Sequence, residues 1–553
     1  MTLLNKLRKP DFWKASTLVV LVLYGLFFIY PIVNLLAQSI YDPSLGGFTL
    51  THFNKFFSQP YYLKTIVNSF QVTIIATLLT LLIGIPLAYF TTVYKVRGKK
   101  FLNIIIILCS MSAPFIGAYS WILLLGRSGL ITKFMLNTFG IVIPDIYGFS
   151  GILLVLTLQL FPLVYLYIQG ALSSVDNSLF EASESMGITG FKRFFKVVLP
   201  LIKPTIYASA LLVFMRAFAD FGTPMLIGEG YRTFPRLIFD EFISEMGGDT
   251  GFAAAISVIA ILLTTVFFLF QRWLSNRNQF SMSALHSIEP KPMKRSLSVM
   301  VHTFVYGVVA VAFMPQVYVF YTSFLKTSGL IFVDGYSLDS YREAFSRLGN
   351  SIQNTFIIPG IALVIIVIMA VIIAYIAVRR RNPLTATVDA VSMIPYIIPG
   401  TVLGIAMLTS LSKRPFMLTG TFTIMIIALV VRRLPYTIRS SVAILQQISI
   451  SVEEAAISLG TSNSKTFFKI TVPMMSAGVI SGAILSWITM ISELSTAIIL
   501  YTSKTQTMTV SIYTQVIRGN YGIAAALSAI LTGLTIISLL VFMKLSKGKN
   551  IQI

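Results

Sequence analysis

The sequence is poor in charged residues, cysteine and histidine. Asp, Glu, Lys and Arg make up only 11% of its 553 residues, whereas soluble domains carry about a quarter. Cys109 is the single cysteine, so no intrachain disulfide or thiolate cluster can form, and we expect no N-terminal lipid anchor. The three histidines are scattered without metal-ligand spacing. These scarcities argue against a soluble protein and leave any metal site unassigned.

Short catalytic motifs are also missing from the sequence. It contains no G-x-x-x-x-G-K-[ST] phosphate loop, no G-x-S-x-G nucleophile motif and no closely spaced histidine pair. The hypothesis of a membrane-bound enzyme therefore finds no catalytic constellation, and the usual site for ATP hydrolysis is missing. We predict that the chain is not an enzyme and has no catalytic residues.

Long apolar runs dominate the sequence instead. Hydrophobic residues make up 56% of the chain and the mean hydropathy is +0.83. Many of the runs are long enough to cross a bilayer as helices. The pattern predicts an all-α polytopic membrane protein with about twelve transmembrane helices. They are expected near residues 15–40, 67–94, 102–125, 150–171, 204–226, 252–273, 299–325, 355–378, 388–411, 420–446, 474–500 and 523–544.

Basic residues outnumber acidic ones, with 42 Lys and Arg against 20 Asp and Glu. In a soluble protein this excess would suggest nucleic acid as a partner. Here the basic residues concentrate at both termini and in the loops that follow even-numbered spans, which is the distribution that the positive-inside rule gives for cytoplasmic segments. We therefore predict membrane lipid and no nucleic acid as the partner of this charge, with both termini in the cytoplasm.

The chain is an internal duplication. Asn68-Ser69-Phe70 recurs as Asn354-Thr355-Phe356 at an offset of 286 residues, and later matches are 273 residues apart. Each half carries six predicted spans, so the halves are parallel repeats. We predict a first repeat at 1–285 and a second at 286–553, joined within a polar segment at 274–298. The duplication predicts a pathway between two halves but does not identify its energy source.

A short motif recurs in one predicted cytoplasmic loop of each half, at about 176–200 and 449–473. Polar capping residues precede the motif in both loops, so we expect a short helix that ends and turns at a glycine. A proline farther along is expected to break the chain before the next span begins. The spacing is identical in the two copies. Their residues are Glu181, Ala182, Ser183, Gly187 and Pro200 in the first half, and Glu454, Ala455, Ala456, Gly460 and Pro473 in the second.

This motif resembles the EAA signature of the inner-membrane subunits of type I, binding-protein-dependent ABC importers. The resemblance implies the permease fold of that family, in a bacterial cytoplasmic membrane. It also implies that each loop forms a coupling helix for one of two copies of an ABC ATPase. That partner would use ATP and Mg, while this chain binds no cofactor of its own. An extracytoplasmic solute-binding protein would deliver the substrate.

An ion-coupled secondary transporter is the alternative from another transport class. It would also show about twelve spans in two parallel halves. It would need no cytoplasmic ATPase, however, and the paired loop motifs would have no explanation. The loops therefore favour the ATP-driven importer.

Three phrases within the predicted spans resemble the fused permeases of the ferric-iron type, and the resemblance covers nearly the whole chain. They are Phe218-Ala219-Asp220-Phe221-Gly222-Thr223-Pro224, Glu493-Leu494-Ser495-Thr496-Ala497 and Arg432-Arg433-Leu434-Pro435-Tyr436. The resemblance implies import of ferric iron or an iron chelate. Permeases for 2-aminoethylphosphonate and for thiamine share this layout, so these cargoes remain alternatives.

Charged residues inside predicted spans are the candidates for the translocation pathway, because isolated charges are costly in lipid. Asp220 and Glu493 occupy equivalent positions in the two halves, 273 residues apart. Arg216 precedes Asp220 by four residues and is expected to neutralise it on one helix face. Glu493 needs another partner, for which Arg432 and Arg433 are the candidates. The alternative is that all five residues form helix-to-helix salt bridges that fix the bundle.

Overall fold

The computed structural model describes residues 12–42, 46–111, 114–243, 249–277, 288–380 and 382–545. Both chain termini lie outside these ranges, and so does the predicted boundary between the two repeats at 285 and 286. The predicted linker at 274–298 is described only at its two ends.

The first half consists of helices and one short hairpin. Its α-helices are Phe12–Tyr24, Tyr30–Ile40, Thr51–Ser58, Pro60–Val93, Lys99–Met111, Pro114–Leu125, Leu130–Phe139, Phe149–Ser173, Asn177–Ser185, Gly190–Arg193, Leu199–Phe218, Gly222–Ile227, Phe234–Ile243 and Thr250–Arg277, with π-helical turns at Gly25–Ile29 and Phe194–Val198. The strands Tyr41–Asp42 and Gly47–Phe48 pair antiparallel.

The second half repeats this order. Its α-helices are Arg295–Thr322, Asp339–Arg379, Pro383–Met393, Gly400–Leu411, Phe422–Gln447, Ile450–Ser458, Asn463–Thr466, Val472–Ile491, Ala497–Leu500, Met508–Ile517 and Tyr521–Leu545, with a 3₁₀ turn at Ile394–Tyr396 and a π-helical turn at Phe467–Thr471. The strands Leu325–Ser328 and Ile331–Tyr336 pair antiparallel. Asp339–Arg379 is kinked at Leu348, near the position where the first half has two separate helices.

Ten helices among the described residues are long and apolar enough to cross a membrane, and one bent pair of helices raises the number to eleven. The span predicted near 420–446 corresponds to Phe422–Gln447, a helix of 26 residues. At about 1.5 Å per residue it is long enough to cross, but it carries Arg432, Arg433 and Arg439 and is less apolar for that reason. The eleven candidates and this arginine-bearing helix together account for the twelve predicted spans.

The third span of the second half is broken, whereas a continuous helix was predicted. In the first half, residues 112–113 of the predicted span lie outside the described residues, and the apolar stretch long enough to cross is Phe115–Phe139. In the second half the two parts, which end at Tyr396 and begin at Gly400, are bent by 110°. Pro399 lies at this break. Proline interrupts a helix because it lacks an N–H and clashes with the preceding turn.

Pro200 and Pro473 do not break the chain, and the prediction that they would is wrong. Each lies just after a π-helical turn, and such a local adjustment lets a membrane-spanning helix tolerate a proline. The preceding turns are π-helical and join these helices directly. The resulting membrane-crossing helices are continuous over Gly190–Phe218 and Asn463–Ile491.

The two hairpins are an addition to the predicted all-α fold. Each follows the first span of its half, at an equivalent place on the side opposite the loops that carry the repeated motif. Their backbone groups pair with each other outside the apolar spans, where no helix satisfies them. Gly329, at φ +61°, allows the tight turn of the longer hairpin.

The first helix of each half packs against the other half. In one direction, Trp13 stacks on Tyr375 with 4.3 Å between the ring centroids. In the other direction, the Tyr306 hydroxyl donates a hydrogen bond of 2.7 Å to the backbone carbonyl of Arg97. The two repeats are therefore held together by an exchange of their first spans.

The repeated Asn-Ser/Thr pair, which first revealed the duplication, has the same structural role in both halves. The asparagine side chain donates to backbone carbonyls, and the hydroxyl accepts the N–H that opens the next outward helix. The Ser69 and Thr355 oxygens lie 2.7 and 2.8 Å from the nitrogens of Phe234 and Met508. The repeated residues thus bind the helices that begin at Phe234 and Met508 to the second span of their own half.

Candidate functional site

The first loop helix, Asn177–Ser185, lies between the fourth and fifth spans of the first half. The Asp176 carboxylate caps it by accepting the N–H of Ser178 at 2.9 Å. At its other end, the N–H groups of Gly187 and Ile188 donate to two of its last carbonyls at 2.9 and 2.8 Å. Gly187 has φ +73°, which only glycine adopts without strain. The helix therefore ends in a Schellman motif.

The second loop helix, Ile450–Ser458, has the same construction in the second half. Ser449 caps it, and the N–H groups of Gly460 and Thr461 donate to two of its last carbonyls at 2.9 and 3.2 Å. Gly460 has φ +88°. The predicted caps and glycine stops are thus confirmed in both halves.

The two loop helices present the same positions outward. Glu181 and Ala182, like their counterparts Glu454 and Ala455, are exposed, whereas Ser183 and Ala456 are buried beneath the helix. The residue that precedes the terminal glycine is a large apolar side chain in both copies. Met186 is 74% exposed and Leu459 is 86% exposed. The two loop helices therefore expose an apolar side chain at the same position.

A buried ion pair anchors the second loop helix. Glu453 is only 6% exposed and accepts from Arg379 at 3.0 Å and from the Tyr375 hydroxyl at 3.0 Å. Arg379 also donates to the backbone carbonyls of Leu445 and Ile448, at 3.4 and 2.6 Å. The end of the long second span is therefore bonded both to the loop helix and to the chain that leads into it.

An arginine from the other side anchors the first loop helix. Phe180 occupies the position that corresponds to Glu453, and the guanidinium of Arg193 lies 4.8 Å from the centre of its ring. Arg193 also lies 3.8 Å from the Glu184 carboxylate. Glu184 contacts Lys291, a residue of the linker, and the ammonium of Lys291 lowers the pKa of Glu184 below its ordinary value.

Sequence reasoning did not find these anchors. Arg379 stands at the start of a basic run that the positive-inside rule explains by itself, and its counterpart in the first half is Val93. A weak signal was present in Glu453, which lies three residues before the buried Ala456 and so shares its helix face. A carboxylate on the buried face of a short helix requires a cation nearby.

The two intramembrane carboxylates lie at equivalent breaks in the fifth span. The helix that precedes Asp220 ends at Phe218, and a short helix begins at Gly222. Asp220 accepts the N–H of Thr223 at 2.9 Å, and Glu493 accepts the N–H of Thr496 at 3.1 Å. Each carboxylate therefore accepts a backbone N–H near the start of the short helix that follows its own break.

Arg216 does not neutralise Asp220, and the prediction of that pair is wrong. The pairing of residues four apart requires a continuous helix, but the helix ends at Phe218 and turns the Asp220 carboxylate toward Thr223. No ion pair of Asp220 is seen among the described residues.

Glu493, in contrast, is paired as expected. Its carboxylate accepts from Arg432 at 3.0 Å and also contacts Arg433. Arg432 packs against Gly400, where an added Cβ would overlap the guanidinium, so a larger residue there would displace this arginine. The break in the third span thereby makes room for the arginine. Gly222, the first-half counterpart of Ser495, faces Leu494, with 3.6 Å between an added Cβ and Leu494 Cδ2.

The structure therefore brings the second-half candidates Arg432, Arg433 and Glu493 into contact. The two sequence phrases that contain the carboxylates meet where Gly222 faces Leu494. Whether these residues contact a substrate stays a prediction. Among the described residues, no group of three or more His, Cys, Asp and Glu side chains is arranged to hold a metal ion.

A family model matches this chain twice. The model is that of the binding-protein-dependent transport system inner membrane component, and it matches residues 80–279 and again 362–548. The two matches fall one in each repeat, as expected for a fused pair.

Curated relatives match along nearly the whole chain. The ferric transport system permease protein FbpB of Actinobacillus pleuropneumoniae is 27% identical over 538 residues, which cover 96% of this chain and 77% of the relative. A putative ferric transport system permease protein of Haemophilus influenzae, FbpB 1, is 27% identical over 517 residues, 91% of this chain and 80% of the relative. Among solved structures, a chain of a bacterial alginate ABC transporter aligns with a TM-score of 0.42 at 17% identity, covering 50% of this chain and 98% of that one.

Proposed function

The chain belongs to the family of binding-protein-dependent transport system inner membrane components, with two copies fused in one polypeptide, and we propose that it forms the membrane pathway of an ATP-driven importer of ferric iron. The observation that carries the proposal is the pair of loop helices. They share caps, Schellman ends and an exposed apolar residue, although they lie 273 residues apart.

Each loop helix would dock on one copy of an ABC ATPase. Exposed Met186 and Leu459 would enter a groove on that partner, which is how short helices commonly dock. The two ATPase subunits would use ATP and Mg on the cytoplasmic side, and both chain termini would lie on that side too. Closure of the ATPases would draw the loop helices together and open the pathway outward, and their release would reverse the change.

The cargo is proposed from the relatives. Permeases named for ferric transport cover 96% and 91% of this chain, which favours ferric iron or an iron chelate over 2-aminoethylphosphonate or thiamine. An extracytoplasmic binding protein would deliver the iron to the outward face, where the two hairpins and the outward helices lie.

The docking proposal is tested by placing a charge on each exposed apolar residue. The double variant Met186→Asp, Leu459→Asp is reconstituted in liposomes with the ATPase and binding protein of the same transport system. We expect loss of ATPase association and of ATP-dependent uptake of radioactive iron. Leu330→Asp is the matched control, since Leu330 is 53% exposed at the tip of an outward hairpin, and it should still bind the ATPase.

Normal association of the double variant with the ATPase would contradict the docking role. Iron uptake driven by an ion gradient without ATP would contradict the importer class and favour a secondary transporter.

A further inference from the structure

Arginine and tyrosine side chains from both halves converge beside the Glu493 pair. The arginine–tyrosine cluster consists of Arg216 from the first half and of Tyr396, Arg433 and Tyr436 from the second. The rings of Tyr396 and Tyr436 are 5.4 Å apart at 71°. The Arg433 guanidinium lies 5.8 Å from the centre of the Tyr436 ring. Arg216 is close enough to interact electrostatically with both tyrosines.

The cluster has hydrogen-bond donors without protein acceptors. Arg216 is partly buried, yet it makes no hydrogen bond and no ion pair with any residue that the structure describes. Arg433 contacts Glu493 with one nitrogen, but its Nε is buried without a partner. A guanidinium carries five N–H donors in a planar fork. Leaving the buried Nε of Arg433 unpaired is costly, and the nitrogens of Arg216, which are not fully enclosed, are open to an acceptor that is not part of the chain.

Positive charge is also in excess here. Arg432 and Arg433 contact the single carboxylate of Glu493, and Arg216 adds a third positive charge beside Tyr436. One positive charge remains uncompensated even when Asp220 is counted. A surplus of this sign would repel a free metal cation and attract an anion.

We propose that the arginine–tyrosine cluster is an intramembrane site for an oxyanion of the phosphate or carboxylate class. Guanidinium groups bind such oxygens in a bidentate manner, and the two phenol groups supply further O–H donors. This step rests on the proposed cargo: ferric iron would cross as a complex with such an oxyanion, and the oxygens of that anion are what the permease holds. Because Arg216 belongs to one half and the other three residues to the other, relative motion of the halves assembles or opens the site.

The test measures iron and phosphate together. The chain is reconstituted in liposomes with its ATPase and binding protein, and ATP-dependent uptake of radioactive iron is measured with radiolabelled inorganic phosphate or in a non-coordinating perchlorate medium. We expect phosphate to enter with the iron. Arg216→Gln should reduce this uptake by about tenfold or more, as for loss of a charge-assisted hydrogen bond, and Arg216→Lys should restore part of it.

Arg439→Gln is the matched control. Arg439 is exposed, lies on the same helix as Arg433 and contacts the sulfur of Met393, so its loss should leave uptake unchanged. Binding of phosphate to the purified variants in lipid nanodiscs gives a second readout that does not depend on transport.

The outcomes separate the two proposals. Equal iron uptake in perchlorate and phosphate, or wild-type phosphate binding and uptake by Arg216→Gln, would overturn the oxyanion site while the iron importer stands. Phosphate binding and uptake that require Arg216, without any iron uptake, would support the site as one for a free oxyanion and would overturn ferric iron as the cargo.

Discussion

The two loop helices present the same outward surface but are held to the membrane bundle by different contacts. The second is anchored by a buried carboxylate, Glu453, bonded to Arg379 from the preceding long helix. The first is anchored by Arg193, which comes from the following helix and covers Phe180. In both halves an arginine covers the same spot of the helix, but it reaches that spot from opposite directions along the chain.

This difference separates the features that the proposed ATPase partner would need from those that it would not. Both copies have an exposed glutamate, an exposed large apolar residue and a terminal glycine, as docking on two copies of one partner would require. The buried contacts need only hold the helix in place, and two chemically different solutions do so. The first loop helix has a further contact that the second lacks, namely the linker residue Lys291 on Glu184.

The largest effect is expected at the buried ion pair. Glu453→Gln keeps the side-chain size but leaves Arg379, which is 11% exposed, without its counter-ion. Removal of one partner from a buried pair costs about 3–5 kcal/mol. We expect a lower thermal midpoint and rapid amide exchange of 450–458, while 177–185 keeps its protection. Unchanged exchange at 450–458 would show that the ion pair is not the anchor.

The adjacent glutamate provides the matched control. Glu454 is exposed, so Glu454→Gln should leave the thermal midpoint unchanged and act only on the coupling of ATP hydrolysis to uptake. Two neighbouring, identical substitutions are thus expected to separate anchoring from docking.

The glycine stops should respond equally in the two halves. Neither Gly187 nor Gly460 has any atom within 4 Å of an added Cβ, so alanine meets only the strain of the left-handed backbone, about 1–2 kcal/mol. We expect Gly187→Ala and Gly460→Ala each to uncouple ATP hydrolysis from uptake without unfolding the bundle. The control is Gly170→Ala, which also has open space but lies within a regular helix. Transport at the wild-type rate by both loop variants would contradict the lever role.

Arg193, which packs on the first loop helix, should contribute less to holding that helix than the Arg379–Glu453 pair contributes to the second. Arg193→Met loses a cation–π contact of about 0.5–2 kcal/mol and the 3.8 Å approach to Glu184. Methionine still packs on Phe180, and Lys291 still contacts Glu184. We expect faster exchange at 177–185, but by a smaller factor than Glu453→Gln produces at 450–458. An equal or larger factor would show that the two anchors are equivalent.

The comparison also shows what the sequence can predict. The duplication is visible in the sequence itself. The caps and the glycine stops depend on local backbone chemistry, so residue type and spacing were enough to predict them correctly. The anchors depend on which side chains the fold brings together. Arg379 and Glu453 are 74 residues apart. Because the first half has Val93 at the position that matches Arg379, comparison of the two repeats could not predict the pair.

The intramembrane site was only partly predictable for the same reason. Glu493 was expected to find Arg432 or Arg433, since a buried carboxylate needs a cation. The Arg216–Asp220 pair failed because hydropathy shows no interruption at Phe218, and only the packed fold reveals that the helix ends there. Pro200 failed in the opposite way, because the preceding π-helical turn lets the helix continue through it.

The smallest effect is expected at the contact that only the first loop helix has. The Lys291 ammonium depresses the pKa of Glu184 below its ordinary value of 4.5, so the contact stabilises the loop helix above that value and is lost as the pH falls through the lowered pKa of the folded state. In Lys291→Met the pKa of Glu184 rises toward 4.5, and only Arg193 remains near the carboxylate. Amide exchange of 177–185 should therefore be slower in the wild type than in the variant at neutral pH, and the two should converge under acid conditions. Both residues are more than 40% exposed, so high salt should also remove the difference. A difference that persists in strong acid or high salt would show that the charge pair between Lys291 and Glu184 is not what stabilises the loop helix.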